Sequence, residues 1–324
     1  MSSNSTQKAP LLAITGGVGG AKLALGLAQL LDEQNLVFAV NTGDDFEHLG
    51  LHISPDIDTL TYTLAQKSNT ELGWGRQGET WQFIDALNEL GGESWFRLGD
   101  KDMALHIHRR FLLSQGASLT AATAKISSAM GIAHSILPMS DDPVRTVVHT
   151  RSGEALPFQH YFVRDRCEPE VTGFEFSGIN HAAPNPLLLG ALENCDGIII
   201  CPSNPYVSVD PLLNLPGMRA AIKASSAPVV AVSPIVSGIA LKGPAAKMMS
   251  ELNVPNTAAS VASHYGDLLA GFVLDEQDAE LASNISIPTL ATQSIMRTLE
   301  DRVQLAKSVL EFISALPSTN SATN

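Results

Sequence analysis

Residues 11–14, Leu-Leu-Ala-Ile, form a short apolar run that stops on Thr15-Gly16-Gly17, and this stretch constrains the fold most. Four apolar residues ending in a glycine turn read as a buried strand. Residues 21–31 follow as a helix, with Leu23, Leu25, Leu27, Leu30 and Leu31 as its apolar contacts. Residues 36–40 are a second apolar run, closed by Asn41-Thr42-Gly43. Strand, glycine turn, helix, strand is the opening of a parallel α/β sheet. The rhythm returns late in the chain: strands at 197–201, 228–232 and 271–274, helices at 218–224 and 244–252, and a long terminal helix within 293–315. The spacing predicts an α/β fold with one mostly parallel sheet built from both ends of the chain.

Between the two halves lie helix candidates at 56–68, 79–89, 102–113 and 119–130, with hardly a strand among them. They predict a small helical subdomain inserted into the sheet. Ser54-Pro55-Asp56 opens the first of these helices with a hydroxyl cap, a proline at the first helical position and an acid in the first turn. The expected division is 10–68 for the N-terminal part of the core, 69–135 for the helices and 136–316 for the rest, with a β-hairpin at 144–163. Residues 1–9 and 317–324 are rich in Ser, Thr and Asn and read as disordered tails.

A chain of 324 residues with 44% hydrophobic and 16% charged residues carries a sizeable core, which excludes global disorder. Its net charge of −13 argues against nucleic acid or an anionic membrane as partner, since both need a basic surface. No apolar run reaches the roughly 18 residues of a membrane span. Three cysteines (Cys167, Cys195 and Cys201) include no CxxC pair, and Cys195 and Cys201 sit in or beside an apolar strand as buried thiols. The start carries no basic and apolar leader, so the expected location is the cytoplasm.

Five motifs could carry chemistry. Gly16-Gly17-Val18-Gly19-Gly20-Ala21-Lys22 follows the first strand, where backbone N–H groups and a helix N-terminus suit phosphate. It is neither a Walker A loop, since Leu23 follows the lysine, nor a full GxGxxG. A tight turn without ligand stays open. Asn41-Thr42-Gly43-Asp44-Asp45 ends the second strand, with Asp56 and Asp58 following in the chain. Such an oxygen-rich cluster suits Mg²⁺, which takes one or two carboxylates plus substrate phosphate oxygens. For Asp56 the alternative is a helix-start acid, and for Asp44 and Asp45 a solvated loop. Leu98-Gly99-Asp100-Lys101-Asp102 precedes His106, His108, Arg109 and Arg110, and helix capping is the alternative there. His106 and His108, two apart, do not share a helix face, so a two-histidine metal site is disfavoured. Ser140-Asp141-Asp142 and Ser203-Asn204 fall on the predicted ligand edge of the sheet, or in plain turns.

These motifs, with Ser54-Pro55-Asp56-Ile57-Asp58-Thr59 and Val232-Ser233-Pro234-Ile235, occur in an order that resembles the 2-phospho-L-lactate transferase family of deazaflavin coenzyme biosynthesis (CofD and FbiA). The resemblance covers about residues 11–312. It implies a Rossmann-like core with a small helical part, usually as a homodimer. It also implies a substituted-phosphate transferase. The donor is a guanosine diphospho-linked three-carbon acid, of phospholactate or phosphoenolpyruvate type. The acceptor is the ribityl hydroxyl of 7,8-didemethyl-8-hydroxy-5-deazariboflavin (Fo), and the products are coenzyme F420-0, or its dehydro form, and GMP. Carried over by motif, Asp44 or Asp45 holds Mg²⁺. Asp58 and the 98–102 segment meet the acceptor alcohol, and Ser203 and Asn204 lie by the nucleotide. Family members often have Arg where this chain has Lys101, and Lys lacks the forked contact of Arg.

The chemistry of phosphoryl transfer is positioning and charge neutralisation. The expected arrangement has Gly16, Gly17, Gly19 and Gly20 holding phosphates, Lys22 adding charge, and Asp58 orienting the hydroxyl. Asp56, Asp100, Lys101, Ser140, Asp141 and Asp142 complete the expected binding set. Two other readings use the same core: a nucleotide-binding regulator, and an NAD(P)-dependent oxidoreductase with an incomplete fingerprint.

Overall fold

The computed structural model describes residues 9–69 and 73–317; of the tails expected at 1–9 and 317–324, all but residues 9 and 317 lie outside them. β1 (Leu11–Thr15), α1 (Gly17–Ala28) and β2 (Leu36–Val40) form the predicted opening unit. A hairpin of β3 (Phe46–His48) and β4 (Leu51–Ile53) leads into α2 (Pro55–Leu64). Three further helices, α3 (Gln82–Glu89), α4 (Asp100–Ser114) and α5 (Leu119–Ala129), precede β5 (Ser135–Pro138). A separate antiparallel sheet contains β6 (Arg145–Thr150), β7 (Ala155–Pro157) and β8 (Val171–Ser177). The alternation then resumes with α6 (Pro186–Glu193), β9 (Gly197–Ile200), α7 (Asp210–Leu213), α8 (Met218–Ala224) and β10 (Val229–Val232). A two-residue pairing of β11 (Ile235–Val236) with β12 (Ile239–Ala240) leads to α9 (Ala245–Glu251) and α10 (Ala258–Tyr265). The chain finishes through β13 (Gly271–Asp275), β14 (Thr289–Thr292) and α11 (Leu299–Ala315).

Seven strands make the central sheet in the order β14-β13-β10-β9-β1-β2-β5, all pairs parallel. The predicted α/β class with a parallel sheet is therefore what the chain adopts. Strand order reverses between β1 and β9, and at such a reversal the two flanking loops part and leave a crevice at the carboxyl ends of the strands. Both faces of the sheet are covered, which explains the unbroken apolar runs. Leu12, Ile14, Ile198 and Ile200 face one core, which includes Leu188 and Ile222 from α6 and α8. Ala13, Phe38, Ile199 and Val230 face the other, which holds Leu23 and Leu27 of α1 and Leu305 and Val309 of α11. Cys195 and Cys201 are buried free thiols, as expected.

Three local differences from the sequence expectation have physical causes. First, α1 begins at Gly17 rather than near residue 21, so the glycine-rich stretch is itself the first helical turn. Second, residues 160–164 wind into a helical turn instead of extending a strand to 163. Phe158 and Phe162 stack there with ring centroids 5.4 Å apart, a contact between residues four apart that an extended chain does not make. Third, the hairpin is really three-stranded, because β8 pairs along the length of β6.

Candidate active site

The site begins at the switch between β1 and β9. Gly16 is extended and Gly17 turns left-handed, with φ of +62°, where a side chain would be strained. The Gly16 N–H donates to Ser203 Oγ at 3.2 Å, and the Gly17 N–H donates to Asp56 Oδ1 at 2.7 Å. Those two donors, expected to hold phosphate, are thus already spent on protein groups. A Cβ on Gly19 would come within 2.5 Å of the Pro202 carbonyl oxygen, so glycine there lets α1 press against the loop after β9. Gly20 is buried against Thr15 and Ser203 and does not line the cavity. The groups left for a ligand are the first-turn N–H groups of Val18 and Gly19, which have no partner inside a helix and carry its positive dipole end.

A cavity of about 750 Å³ opens at this turn. Lys22, Lys242 and Arg297 line one part of it. Lys22 Nζ donates to the Met296 carbonyl at 2.9 Å. Burial, then the neighbouring Arg302 and Lys242, lower the pKa of Lys22, as expected for cations gathered without an anion. Aromatic side chains line it too: Trp74, Trp95, Phe96, Phe158 and Phe162 come from segments far apart in sequence. Trp95 sits edge-on to Phe96 at 5.7 Å, giving a rigid apolar wall. Four carboxylates, Asp44, Asp56, Asp58 and Asp102, line the same cavity.

Asp44 and Asp56 face each other inside the protein. Asp56 accepts from Gly17 and, on Oδ2, from Asn41 Nδ2 at 2.9 Å. Asp44 Oδ1 is buried without a hydrogen-bond partner. Burial, with Asp56 close by, pushes the Asp44 carboxyl well above the usual carboxylate range, against the Asn41 hydrogen bond that lowers it. Burial likewise pushes Asp56 up to about 6, against its Asn41 and Gly17 donors. Two desolvated carboxyls near each other, one with an oxygen left unpaired, lack a counter-charge. Among the described residues no three His, Cys, Asp or Glu side chains are grouped to hold a metal.

Asp45 is placed otherwise than expected. It does not line the cavity. Its Oδ2 accepts from Ser54 Oγ at 2.8 Å and lies 3.0 Å from His52 Nε2. Ser54, read from the sequence as a hydroxyl cap, makes no capping bond, because its hydroxyl goes to Asp45. Asp58 does line the cavity, but both its oxygens take the guanidinium of Arg109, one at 3.1 Å and the other closer still. Arg109 is the largest fully buried side chain of the described residues.

Other expected binding residues serve the scaffold. Asp100 accepts from the Phe83 and Gln82 N–H groups and from Thr80, which caps α3 and holds the Asp100 carboxyl below its ordinary range. Lys101 is exposed, with Nζ on the Gly78 carbonyl at 2.5 Å. Asp141 accepts from Thr120 N and Oγ1, both at 2.7 Å, at the start of α5. Asp142 accepts from the Ala183 N–H, and Ser140 donates to the Ala183 carbonyl, so 140–142 pins the chain ahead of α6. None of Asp100, Lys101, Ser140, Asp141 or Asp142 lines the cavity, whereas Ser203 and Asn204 do. Sequence reasoning missed Lys242, Arg297, Tyr62 and the aromatic lining, and named His106 only within the third motif. For Lys242 and Arg297 a signal existed: both lie beyond the carboxyl ends of core strands, the ligand edge of such sheets.

Comparison with known proteins follows this geometry. The family model "2-phospho-L-lactate transferase CofD" matches residues 11–306. A 2-phospho-L-lactate transferase of Methanosarcina mazei is 38% identical over 93% of this chain and 99% of its own. A phosphoenolpyruvate transferase of Streptomyces griseus is 37% identical over 93% of this chain and 97% of its own. A crystal structure from Bacillus halodurans, of a UPF0052 family member, superposes with a TM-score of 0.64 at 14% identity, covering 94% of this chain and 99% of that one, and shares the fold. The chain belongs to the CofD 2-phospho-L-lactate transferase family and is a transferase. No helix among the described residues is long and apolar enough to cross a membrane.

Proposed function

We propose that this member of the family transfers a phosphorylated three-carbon acid from a guanosine diphospho donor to the ribityl hydroxyl of Fo, releasing GMP and forming coenzyme F420-0 or its dehydro form. One observation carries the reading: a single cavity at the switch point is lined by a helix N-terminus, three cations, five aromatic side chains and four carboxylates. Diphosphate needs the first of these features, and a flat deazaflavin needs the second.

In this reading the first turn of α1 receives the diphosphate through the Val18 and Gly19 N–H groups. Lys22 and Lys242 balance its charge, and Asn204 offers a polar contact by the nucleotide. Asp44 and Asp56 would hold Mg²⁺, which when bound neutralises phosphate charge and polarises the phosphorus. The open Oδ1 of Asp44 supports this pair, and its bonds to His52 and Ser54 make Asp45 a support for the loop instead. The aromatic wall packs the deazaflavin and excludes water, so the ribityl hydroxyl rather than solvent meets the phosphorus. A cytoplasmic homodimer is part of the same proposal and rests on the family resemblance.

Relatives named for phospholactate and for phosphoenolpyruvate are 38% and 37% identical, so both donors belong in the test. Protein, Fo, Mg²⁺ and each donor are incubated, and mass spectrometry looks for the phospho-acid adduct of Fo together with GMP. Consumption of donor with no adduct on Fo would overturn the acceptor assignment.

A further inference from the structure

Two helices face each other beside the cavity and bring together side chains that no motif combined. On α2, Asp58 and Tyr62 are four residues apart and share a face; on α4, Asp102, His106 and Arg109 do the same. Arg109 takes both oxygens of Asp58, and its NH1 also lies 3.4 Å from His106 Nδ1. With both oxygens on a buried guanidinium, Asp58 has no open oxygen left for a substrate hydroxyl. Asp102 is arranged differently. Only its Oδ1 is used, accepting from Tyr62 OH at 2.5 Å and lying 3.3 Å from His106 Nε2. Its side chain keeps 13% exposure and lines the cavity.

We infer that Asp102, rather than Asp58, is the carboxylate that receives the acceptor hydroxyl, with Tyr62 and His106 as the positioning residues that hold it. The inference rests on the transferase reading above. His106 packs against the same oxygen, with Nε2 3.3 Å from Asp102 Oδ1 and Nδ1 3.4 Å from Arg109 NH1. Burial pushes the Tyr62 phenol far above its ordinary range, with Asp102 and Asp58 adding to it, so Tyr62 stays a neutral donor. The Tyr62 hydroxyl on one oxygen leaves the other oxygen of Asp102 for a substrate hydroxyl. In the transfer step the hydroxyl oxygen bonds to the phosphorus that bears the three-carbon acid. The bond from that phosphorus to the bridging oxygen breaks, its electron pair leaves with GMP, and the hydroxyl proton passes to Asp102 and then to water. A carboxylate is a weak base, so its main contribution is orientation of the hydroxyl, with the proton lost late.

The test compares wild type with Asp102→Asn, Tyr62→Phe, His106→Gln and Asp58→Asn, using Fo, donor and Mg²⁺, with GDP affinity measured by calorimetry. Asp102→Asn is expected to lower kcat about 100-fold or more while GDP affinity and melting temperature hold. Tyr62→Phe and His106→Gln are expected to lower kcat about tenfold each with little change in the KM for Fo, whereas a merely structural role would move KM and stability together. Near-normal kcat in Asp102→Asn overturns the inference, as does a kcat loss matched by a loss of GDP binding, or an active Asp102→Asn beside a folded, inactive Asp58→Asn. A wild type that makes no adduct with Fo sinks the transferase reading itself, and this inference with it.

Discussion

Gly16 and Ser203, 187 residues apart, hold each other across the point where strand order reverses: the Gly16 N–H donates to Ser203 Oγ, and the same hydroxyl donates back to the Gly16 carbonyl at 2.8 Å. One side chain thereby satisfies both backbone groups at the tip of β1 and fixes how far the α1 turn stands from the loop after β9. Ser203→Ala is expected to cost about 1–3 kcal/mol in urea unfolding, because it leaves a buried donor and acceptor unpaired. The KM for the guanosine diphospho donor should rise more than that for Fo. A variant as stable as wild type would show that the turn keeps its place by packing alone.

Asp44 and Asp56 set function against stability. Asp44→Asn removes one of two mutually repelling buried carboxyls, so the metal-free protein is expected to melt higher, while turnover falls below detection. Calorimetry and a product assay on one preparation test both halves. Near-normal turnover with Mg²⁺ would remove Asp44 from the metal site.

The same pair sets a dependence on pH. Asp56 is pushed up to about 6 in the fold from an ordinary 3.8, so the folded state binds a proton the unfolded state has lost. Stability of the metal-free protein therefore falls as pH rises from below 4 through 6 and then levels. Mg²⁺ competes with that proton, so its effect on melting temperature should be small at pH 5 and full by pH 8. Equal Mg²⁺ stabilisation at both pH values would contradict the linkage.

Lys101 and Asp141 separate scaffold from chemistry. Lys101→Ala removes an exposed ammonium tied to Gly78, and is expected to change kcat and KM less than about twofold and stability by under about 0.5 kcal/mol. Asp141→Ala deletes the acceptor of two α5 donors and should cost about 1 kcal/mol with kcat unchanged. A tenfold loss of activity from either would bring that residue back toward the reaction.

The β1-α1-β2 opening was legible because buried parallel strands are written as continuous apolar runs, and because a strand ending in glycines announces its turn. Asp44, Asp56, Lys22 and Ser203 were legible as candidates from their place at strand ends. The hairpin before α2 was not: its turn is Leu49-Gly50, with Leu49 at φ of +53°, where an Asn-Gly pair is the usual signal. β14 was missed because Thr-Leu-Ala-Thr at the sheet edge has no apolar run to read. The use of Ser54 on Asp45, and of Asp100 and Asp141 as caps, was hidden for another reason. A short polar side chain near a helix start has several partners within reach, and only the tertiary fold chooses among them. The aromatic lining needed Trp74, Trp95 and Phe158, from three separate segments, to reach one cavity, which no local pattern records.

The placement of β1 in the middle of the sheet has a consequence for biosynthesis. β1 is made first, yet one of its two neighbours, β9, starts at residue 197, and α1 packs against α11, which starts at residue 299. On the ribosome the emerging strand keeps an unpaired edge, and its helix an uncovered apolar flank, until nearly the whole polypeptide has been synthesised. Nascent chains stalled before residue 200 should therefore engage chaperones that release the finished protein.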